Sequence, residues 1–184
     1  MPEEKSGRLR REVFAGGCFW CMEHAFDQVR GVVSVTPGYT GGHKKDPTYD
    51  EVSSGQTGHA EAVLVVYDPG VVDYEKLLDV FWRNIDPTVR DRQFCDVGNQ
   101  YRTAVFYSGD EQRRLAVESL RRLQESGRLK GPVATGIVPA GEFYPAEEYH
   151  RKYYRKNPNL YGAYRAQCGR DRRLRELWGD EAEA

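Results

Sequence analysis

The stretch Gly16-Gly17-Cys18-Phe19-Trp20-Cys21-Met22-Glu23 constrains this chain more than any other. Residues 11–15 ahead of it read as a short strand. Over residues 18–30, Phe19, Met22, Phe26 and Val29 recur at helical spacing until Gly31 stops the pattern. The spacing therefore puts Cys18 where a strand runs through two glycines into the first turn of a helix. Glycine permits such a turn without a Cβ clash and leaves the thiol open to a ligand. Helix N-terminal amides and the helix dipole favour negative charge, which lowers a cysteine pKa and suits a thiolate nucleophile. A buried structural cysteine is the alternative, free cysteine being among the most buried residue types. Spacing alone leaves both readings open.

With 184 residues the chain is long enough for one domain with a sizeable core. Its 39% hydrophobic and 30% charged residues are the balance of a soluble globular protein. Residues 1–10 read as a disordered lead-in and 11–184 as one domain, ending in a tail over 162–184. No run of eighteen apolar residues and no charged-then-apolar leader occurs, so neither a membrane span nor a signal peptide is expected. A net charge of −1 argues against nucleic acid as a partner, since phosphate binding needs a basic excess. The basic run from Arg170 to Arg175 reads as a solvated helix face. Cys18, Cys21, Cys95 and Cys168 in a chain without a leader point to a reducing, cytoplasmic compartment. Thiols there are more often catalytic or metal-binding than structural staples.

In chain order, residues 32–36 are β-branched and read as a strand broken by Pro37-Gly38. Residues 39–57 are rich in glycine and proline and read as a long ordered loop, a type that is usually functional. Residues 60–67 form the strongest strand. Alternation puts Glu61, Val63, Val65 and Tyr67 on one face, with Ala62, Leu64 and Val66 on the other. An amphipathic helix over 74–85 follows, then an irregular stretch from Asp86 to Tyr101. A strand over 102–108, a charged helix over 109–125, a strand over 133–140 and a helix over 147–156 come next. Asn157-Pro158 stops that helix, and loop plus a short basic helix remain. The order predicts an α+β fold: a ferredoxin-like two-layer α/β sandwich with long ordered loops and an extra helix–strand unit.

Six blocks along the chain carry a resemblance. Gly17-Cys18-Phe19-Trp20 with Glu23 comes first, then Gly38-Tyr39-Thr40-Gly41-Gly42 and Pro47-Thr48-Tyr49. Thr57-Gly58-His59-Ala60-Glu61-Ala62-Val63, Asp96-Val97-Gly98-Asn99-Gln100-Tyr101-Arg102 and His150-Arg151-Lys152-Tyr153 with Lys156-Asn157-Pro158 follow. In this order, over about 13–161, they resemble the methionine sulfoxide reductase A family. The resemblance implies reduction of methionine S-sulfoxide, free or in proteins, to methionine. It makes Cys18 the nucleophile and Glu61 the acid that protonates the sulfoxide oxygen. Phe19 and Trp20 then close around the S-methyl group, and Tyr49 and Tyr101 are hydroxyl donors. Asp96 is a second carboxylate of the site, and Tyr153 a further aromatic near it. To donate at neutral pH, Glu61 needs a pKa well above the free ~4.3, which burial can supply. The implied cycle passes through a sulfenic acid on Cys18 and an intramolecular disulfide that thioredoxin recycles. It needs no metal or cofactor, and the chain carries no dinucleotide fingerprint or phosphate loop. A monomer is expected.

One position departs from the family's commoner pattern. Counting from Asn157-Pro158, the usual resolving cysteine falls on Gly162. Cys21, Cys95 and Cys168 are the remaining thiols. Cys95 lies beside Asp96 on a stretch the family keeps without requiring a thiol. Cys168 lies in the tail and could swing in. Cys21, at i+3 from Cys18, meets the ~4.4–6.8 Å Cα separation of a disulfide without rearrangement and is the preferred resolver. Two rivals come from other classes. A four-thiolate zinc site lacks the second C-x-x-C pair it usually has. A thioredoxin-like dithiol carrier would leave Tyr49, Glu61, Asp96 and Tyr101 without a role.

Overall fold

The structure is a computed structural model that describes residues 8–183. Most of the expected lead-in lies outside them, and Arg10 is already strand. β1 (Arg10–Gly16) leads into α1 (Phe19–Asp27), and β2 (Val32–Thr40) follows. A short helix, α2 (Tyr49–Ser53), precedes β3 (Ala60–Tyr67) and α3 (Tyr74–Arg83). β4 (Arg92–Gln93) and β5 (Asp96–Val97) pair as a small ribbon. β6 (Thr103–Tyr107), α4 (Asp110–Glu125), β7 (Gly136–Pro139) and β8 (Phe143–Pro145) come next. The chain ends in α5 (Tyr153–Lys156), α6 (Pro158–Cys168) and α7 (Arg170–Trp178).

Six strands form one sheet in the order β7-β6-β1-β3-β2-β8. Only β6–β7 is parallel; the other neighbours are antiparallel. The result is a mixed α+β fold. The alternation read for β3 separates two sets of packed residues. Val63, Val65 and Tyr67 join the main core, while Ala60 and Ala62 pack on the other face with Ala15, Ala104 and Phe106. In the main core Phe14 of β1 stacks between Phe26 of α1 (5.0 Å) and Phe81 of α3 (5.3 Å). All three are buried, and each such side chain contributes roughly 1.5–3 kcal/mol. This packing holds α1, and with it Cys18, against the sheet.

Four expectations need correction. β2 runs on through Pro37-Gly38, with Pro37 opposite Val63. The β2–β8 ladder covers only Gly38–Thr40, so Pro37 lies at an edge, where a missing N–H is tolerated. The long loop holds α2, whose Thr48 cap and Glu51 form a reciprocal capping box. The helix expected over 147–156 is broken at Lys152, which has φ +53° and donates its N–H to Glu23 Oε1 at 2.8 Å. Asn157-Pro158 starts a helix as well as ending one, because proline fits a first helical turn.

That last difference changes the tail. Residues 162–184 continue α6 and add α7, with Gly169 at φ +73° turning the chain between them. Tyr161, Arg170, Leu174 and Trp178 are buried, so α6 and α7 are packed elements. The basic run is not wholly a solvated face, because Arg170 is 2% exposed.

Candidate active site

Cys18 is the N-cap residue of α1, and its carbonyl accepts from the N–H groups of Cys21 (3.2 Å) and Met22 (3.3 Å). The two glycines before it are sterically required. A Cβ on Gly16 would lie 2.5 Å from Met22 Sδ, and one on Gly17, at φ +84°, 2.6 Å from Gln93 Cβ. The amide of Phe19 donates to Glu61 Oε1 at 3.2 Å, so the carboxyl group takes the first free N–H of α1. Glu61 sits at the start of β3, 3% exposed. Burial raises its pKa to about 8 against the Phe19 hydrogen bond, with Asp96 and Cys21 adding to the rise. Glu61 is therefore mostly protonated at neutral pH. Its carbonyl oxygen can accept from Phe19 while its O–H is free to donate.

Cys18, Phe19, Trp20, Tyr49, Glu61, Asp96 and Tyr101 line one cavity of about 50 Å³. Four chain regions that the sequence reading kept separate thus meet around one thiol. Burial also raises the Tyr49 pKa to about 12 and pushes Tyr101 up, with the Glu61 charge second in both, so both phenols stay protonated donors. Burial raises the Asp96 carboxyl pKa, opposed by a Tyr164 hydrogen bond and the Arg170 charge. A larger groove of about 520 Å³ has Val29, Val72, Lys76 and Val80 among its lining residues. Its lining holds no thiol and no carboxylate, in contrast to that of the smaller cavity.

The remaining expected residues stand outside this wall. Tyr153 stacks on Trp20 with ring centroids 3.8 Å apart, supporting the indole from behind. Trp20 Nε1 donates to His150 Nδ1 at 3.0 Å. Cys21 is buried behind Cys18, together with Tyr161. Cys168 is in a disulfide with Cys95, while Cys18 and Cys21 are free thiols. Cys95 is exposed and Cys168 half-buried.

Two residues were missed. Tyr164 of α6 completes the cavity, donating its O–H to Asp96 Oδ2 and meeting Trp20 edge-on at 5.8 Å. His150 orients Trp20 and packs 4.9 Å from Phe19. It stood in a quoted block, whereas Tyr164 lay in a segment read as loop.

The two site thiols differ from the first expectation. A helix N-terminus alone lowers a thiol pKa, but Cys18 is buried and its pKa is pushed up. Hydrogen bonding to Cys21 and the charges of Cys21 and Glu61 act in the same direction. The Cys21 thiol is lowered to about 6 by the Cys18 hydrogen bond, with Arg170, Arg165 and Tyr161 helping against burial.

Free thiols beside a protonated carboxylic acid and phenol donors, around a cavity walled by aromatics, are the equipment of a thiol-dependent reductase. A family model described as "Peptide methionine sulfoxide reductase" matches residues 10–182. Peptide methionine sulfoxide reductase MsrA of Bacillus licheniformis is 55% identical over 90% of this chain and 92% of its own length. MsrA of Methanothermobacter thermautotrophicus is 57% identical over 82% and 89%. Among solved structures, reduced Mxr1 from Saccharomyces cerevisiae is similar with TM-score 0.78 and 34% identity, covering 83% of this chain and 87% of that one. Methionine sulfoxide reductase A of Corynebacterium diphtheriae aligns with TM-score 0.74 and 35% identity, over 84% and 77%. The chain belongs to the peptide methionine sulfoxide reductase family. Its reaction is the reduction of methionine sulfoxide to methionine.

Proposed function

We propose that Cys18 attacks the sulfur of methionine S-sulfoxide while Glu61 gives its proton to the oxygen. The carrying observation is the Phe19–Glu61 hydrogen bond, which fixes a carboxyl group of pKa about 8 beside the thiol in one cavity. Tyr49 and Tyr101 donate to the same oxygen. Phe19 and Trp20 wall the methyl group, with Tyr153 backing Trp20. Asp96, held by Tyr164, orients water in the site. Methionine leaves, and Cys18 becomes a sulfenic acid.

Cys21 then attacks the Cys18 sulfur, water departs and a Cys18–Cys21 disulfide forms. That disulfide is buried, whereas Cys95–Cys168 has an exposed member. Cys168 therefore serves as the relay. Once an external dithiol has opened the Cys95–Cys168 disulfide, the Cys168 thiolate attacks Cys21 and frees Cys18, and Cys95 then closes onto Cys168 and frees Cys21. An external dithiol of the thioredoxin type reduces Cys95–Cys168 by exchange. Both free methionine sulfoxide and oxidised proteins are substrates.

The protein works as one catalytic domain and as a monomer in the cytoplasm, with no membrane or nucleic-acid partner. No helix among the described residues is long and apolar enough to cross a membrane. The strand order β6-β1-β3-β2, with α1 and α3 as crossovers, supports a ferredoxin-like centre. Single-turnover assays with Cys18→Ser test the central assignment. No methionine should form, and measurable formation would remove Cys18 from its role.

A further inference from the structure

Glu23 closes the stretch that most constrains this chain, yet no step of the reaction uses it. It is fully buried on α1. Trp20, Glu23 and Asp27 stand at i, i+3 and i+7 of that helix, a spacing that puts them on one face. This face meets residues 150–154. Glu23 Oε1 accepts the N–H of Lys152 at 2.8 Å, and Glu23 Oε2 lies 3.7 Å from Lys152 Nζ. The same ammonium donates to Asp27 Oδ2, which also accepts from the Tyr154 hydroxyl at 2.6 Å. α1 therefore grips Lys152 both by its backbone and by the end of its side chain.

That grip falls on an unusual residue. Lys152 has φ +53°, in the left-handed region that a residue with a Cβ seldom adopts. Its carbonyl accepts from the N–H groups of Arg155 (2.9 Å) and Lys156 (3.0 Å), so it caps the start of α5. Two residues before it, His150 Nδ1 accepts from Trp20 Nε1 at 3.0 Å. One residue after it, the Tyr153 ring lies on the indole, 3.8 Å away and within 8° of parallel. The bend at Lys152 thus lets one short segment hold both the edge and the face of the same ring. Backbone in this region persists only where its surroundings hold it, and the Lys152 N–H is held by Glu23.

We propose that Glu23 is a positioning residue for Trp20: by accepting the Lys152 N–H it fixes the bend that sets His150 and Tyr153 against the indole. This rests on Trp20 as a wall of the substrate cavity. Glu23 itself is absent from the lining of that cavity, so its effect passes through the ring. A wall for the methyl group touches the bound sulfoxide and the sulfoxide under attack alike. Displacing it raises the substrate concentration for half-saturation more than it lowers the maximal rate.

Two measurements on the whole chain test this. The indole N–H resonances are those of Trp20, Trp82 and Trp178, and Trp20→Phe assigns the first by its loss. Glu23→Ala should speed hydrogen exchange at the Trp20 indole about tenfold. It should leave Trp82 and Trp178, which donate to Ser119 and Ile85, unchanged. In single turnover with methionine sulfoxide it should raise the half-saturation concentration about tenfold, within the ~10²-fold that a ~1 Å misplacement can cost. The maximal rate should stay within about threefold of the parent. A glutamine side-chain carbonyl can still accept the Lys152 N–H, so Glu23→Gln should stay within about twofold of the parent on both readouts. In a Trp20→Ala background, Glu23→Ala should add little to the half-saturation concentration.

Full additivity in that double-mutant cycle overturns the proposal, as does Glu23→Gln as damaging as Glu23→Ala. Glu23→Met keeps most of the side-chain volume and removes the acceptor, so it takes the place of Glu23→Ala if that variant does not fold. Unmoved exchange at the Trp20 indole in Glu23→Met overturns the proposal as well. A separate outcome isolates the reading of Trp20. If indole exchange rises as stated but Trp20→Ala leaves half-saturation unchanged, Glu23 still positions the indole and Trp20 is not a substrate wall.

Discussion

The amide of Phe19 donates to Glu61 Oε1 across 3.2 Å, fastening the first turn of α1 to the start of β3. This one bond places a carboxyl group beside a thiol. The same amide would otherwise help to stabilise a thiolate at the helix N-terminus. Spent on Glu61, it leaves the two thiols to settle their charge between themselves.

Glu61→Gln should therefore slow the chemical step by ~10²–10⁴-fold while binding persists. In the parent protein the single-turnover rate should fall as pH rises through about 8, where Glu61 loses its proton. The variant should lack that limb. Stability carries the same signature. The folded pKa of Glu61 lies above its unfolded value, so the native state holds an extra proton, and stability drops between about 4.5 and about 8. Glu61→Gln should gain stability relative to the parent across that window, read as a rising difference in urea midpoint. Parallel midpoints at every pH would mean that Glu61 is not held neutral.

Tyr164→Phe removes the O–H that Asp96 accepts and leaves a partly buried carboxyl group without it. Hydrogen bonds to charged groups contribute about 1.5–3 kcal/mol, so the chemical rate should fall at least severalfold. Asp96→Asn in the same background should then add little. Full additivity of the two losses in a double-mutant cycle would show that the residues act separately.

The parts of the fold that were legible share a physical cause. α1 and β3 carry their apolar residues at the period of the element, and Phe14, Phe26, Val63 and Val65 do enter the core. α7 hides its period, because the inward positions are Arg170, Leu174 and Trp178, and the first is a cation. α6 turns Tyr161 and Tyr164 inward, and both use their hydroxyls. A pattern search built on apolar spacing passes over such faces. α2 had a readable signal, Thr48 followed three residues later by Glu51, but its five residues give no period. The site was legible in its residues and not in its closure. Cys18, Glu61, Tyr49, Asp96 and Tyr101 stood in the quoted blocks, and the helix that covers them lay in the presumed tail.

Substrate choice should follow the S epimer with little regard to flanking sequence. The cavity is about 50 Å³, enough for the methyl sulfoxide end and not for a neighbouring side chain. Its aromatic wall of Phe19 and Trp20 and its donors Glu61, Tyr49 and Tyr101 make the methyl and oxygen positions chemically unlike. Turnover of separated epimers with dithiothreitol checks this, and equal rates would contradict the assignment of the two walls.

The first disulfide after one turnover should join Cys18 to Cys21. Cys21 stands in the first turn of α1, at i+3 from Cys18, and its N–H already reaches the Cys18 carbonyl at 3.2 Å. Cys168 is committed to Cys95, across 73 residues, and its helix is packed in place by Tyr161 and Tyr164. For Cys168 to act first, its disulfide must be reduced and the end of α6 must move. Cys21 needs only a small change in the first turn, at the cost of shifting Trp20, which is held by Tyr153 and His150. Peptide mapping after one equivalent of substrate without reductant, on the parent protein, Cys21→Ser and Cys168→Ser, separates the two routes. Cys168→Ser should close its first disulfide at the parent rate, and Cys21→Ser should accumulate a trappable sulfenic acid. A Cys18–Cys168 bond as the earliest species, formed as fast in Cys21→Ser, would make Cys168 the resolver.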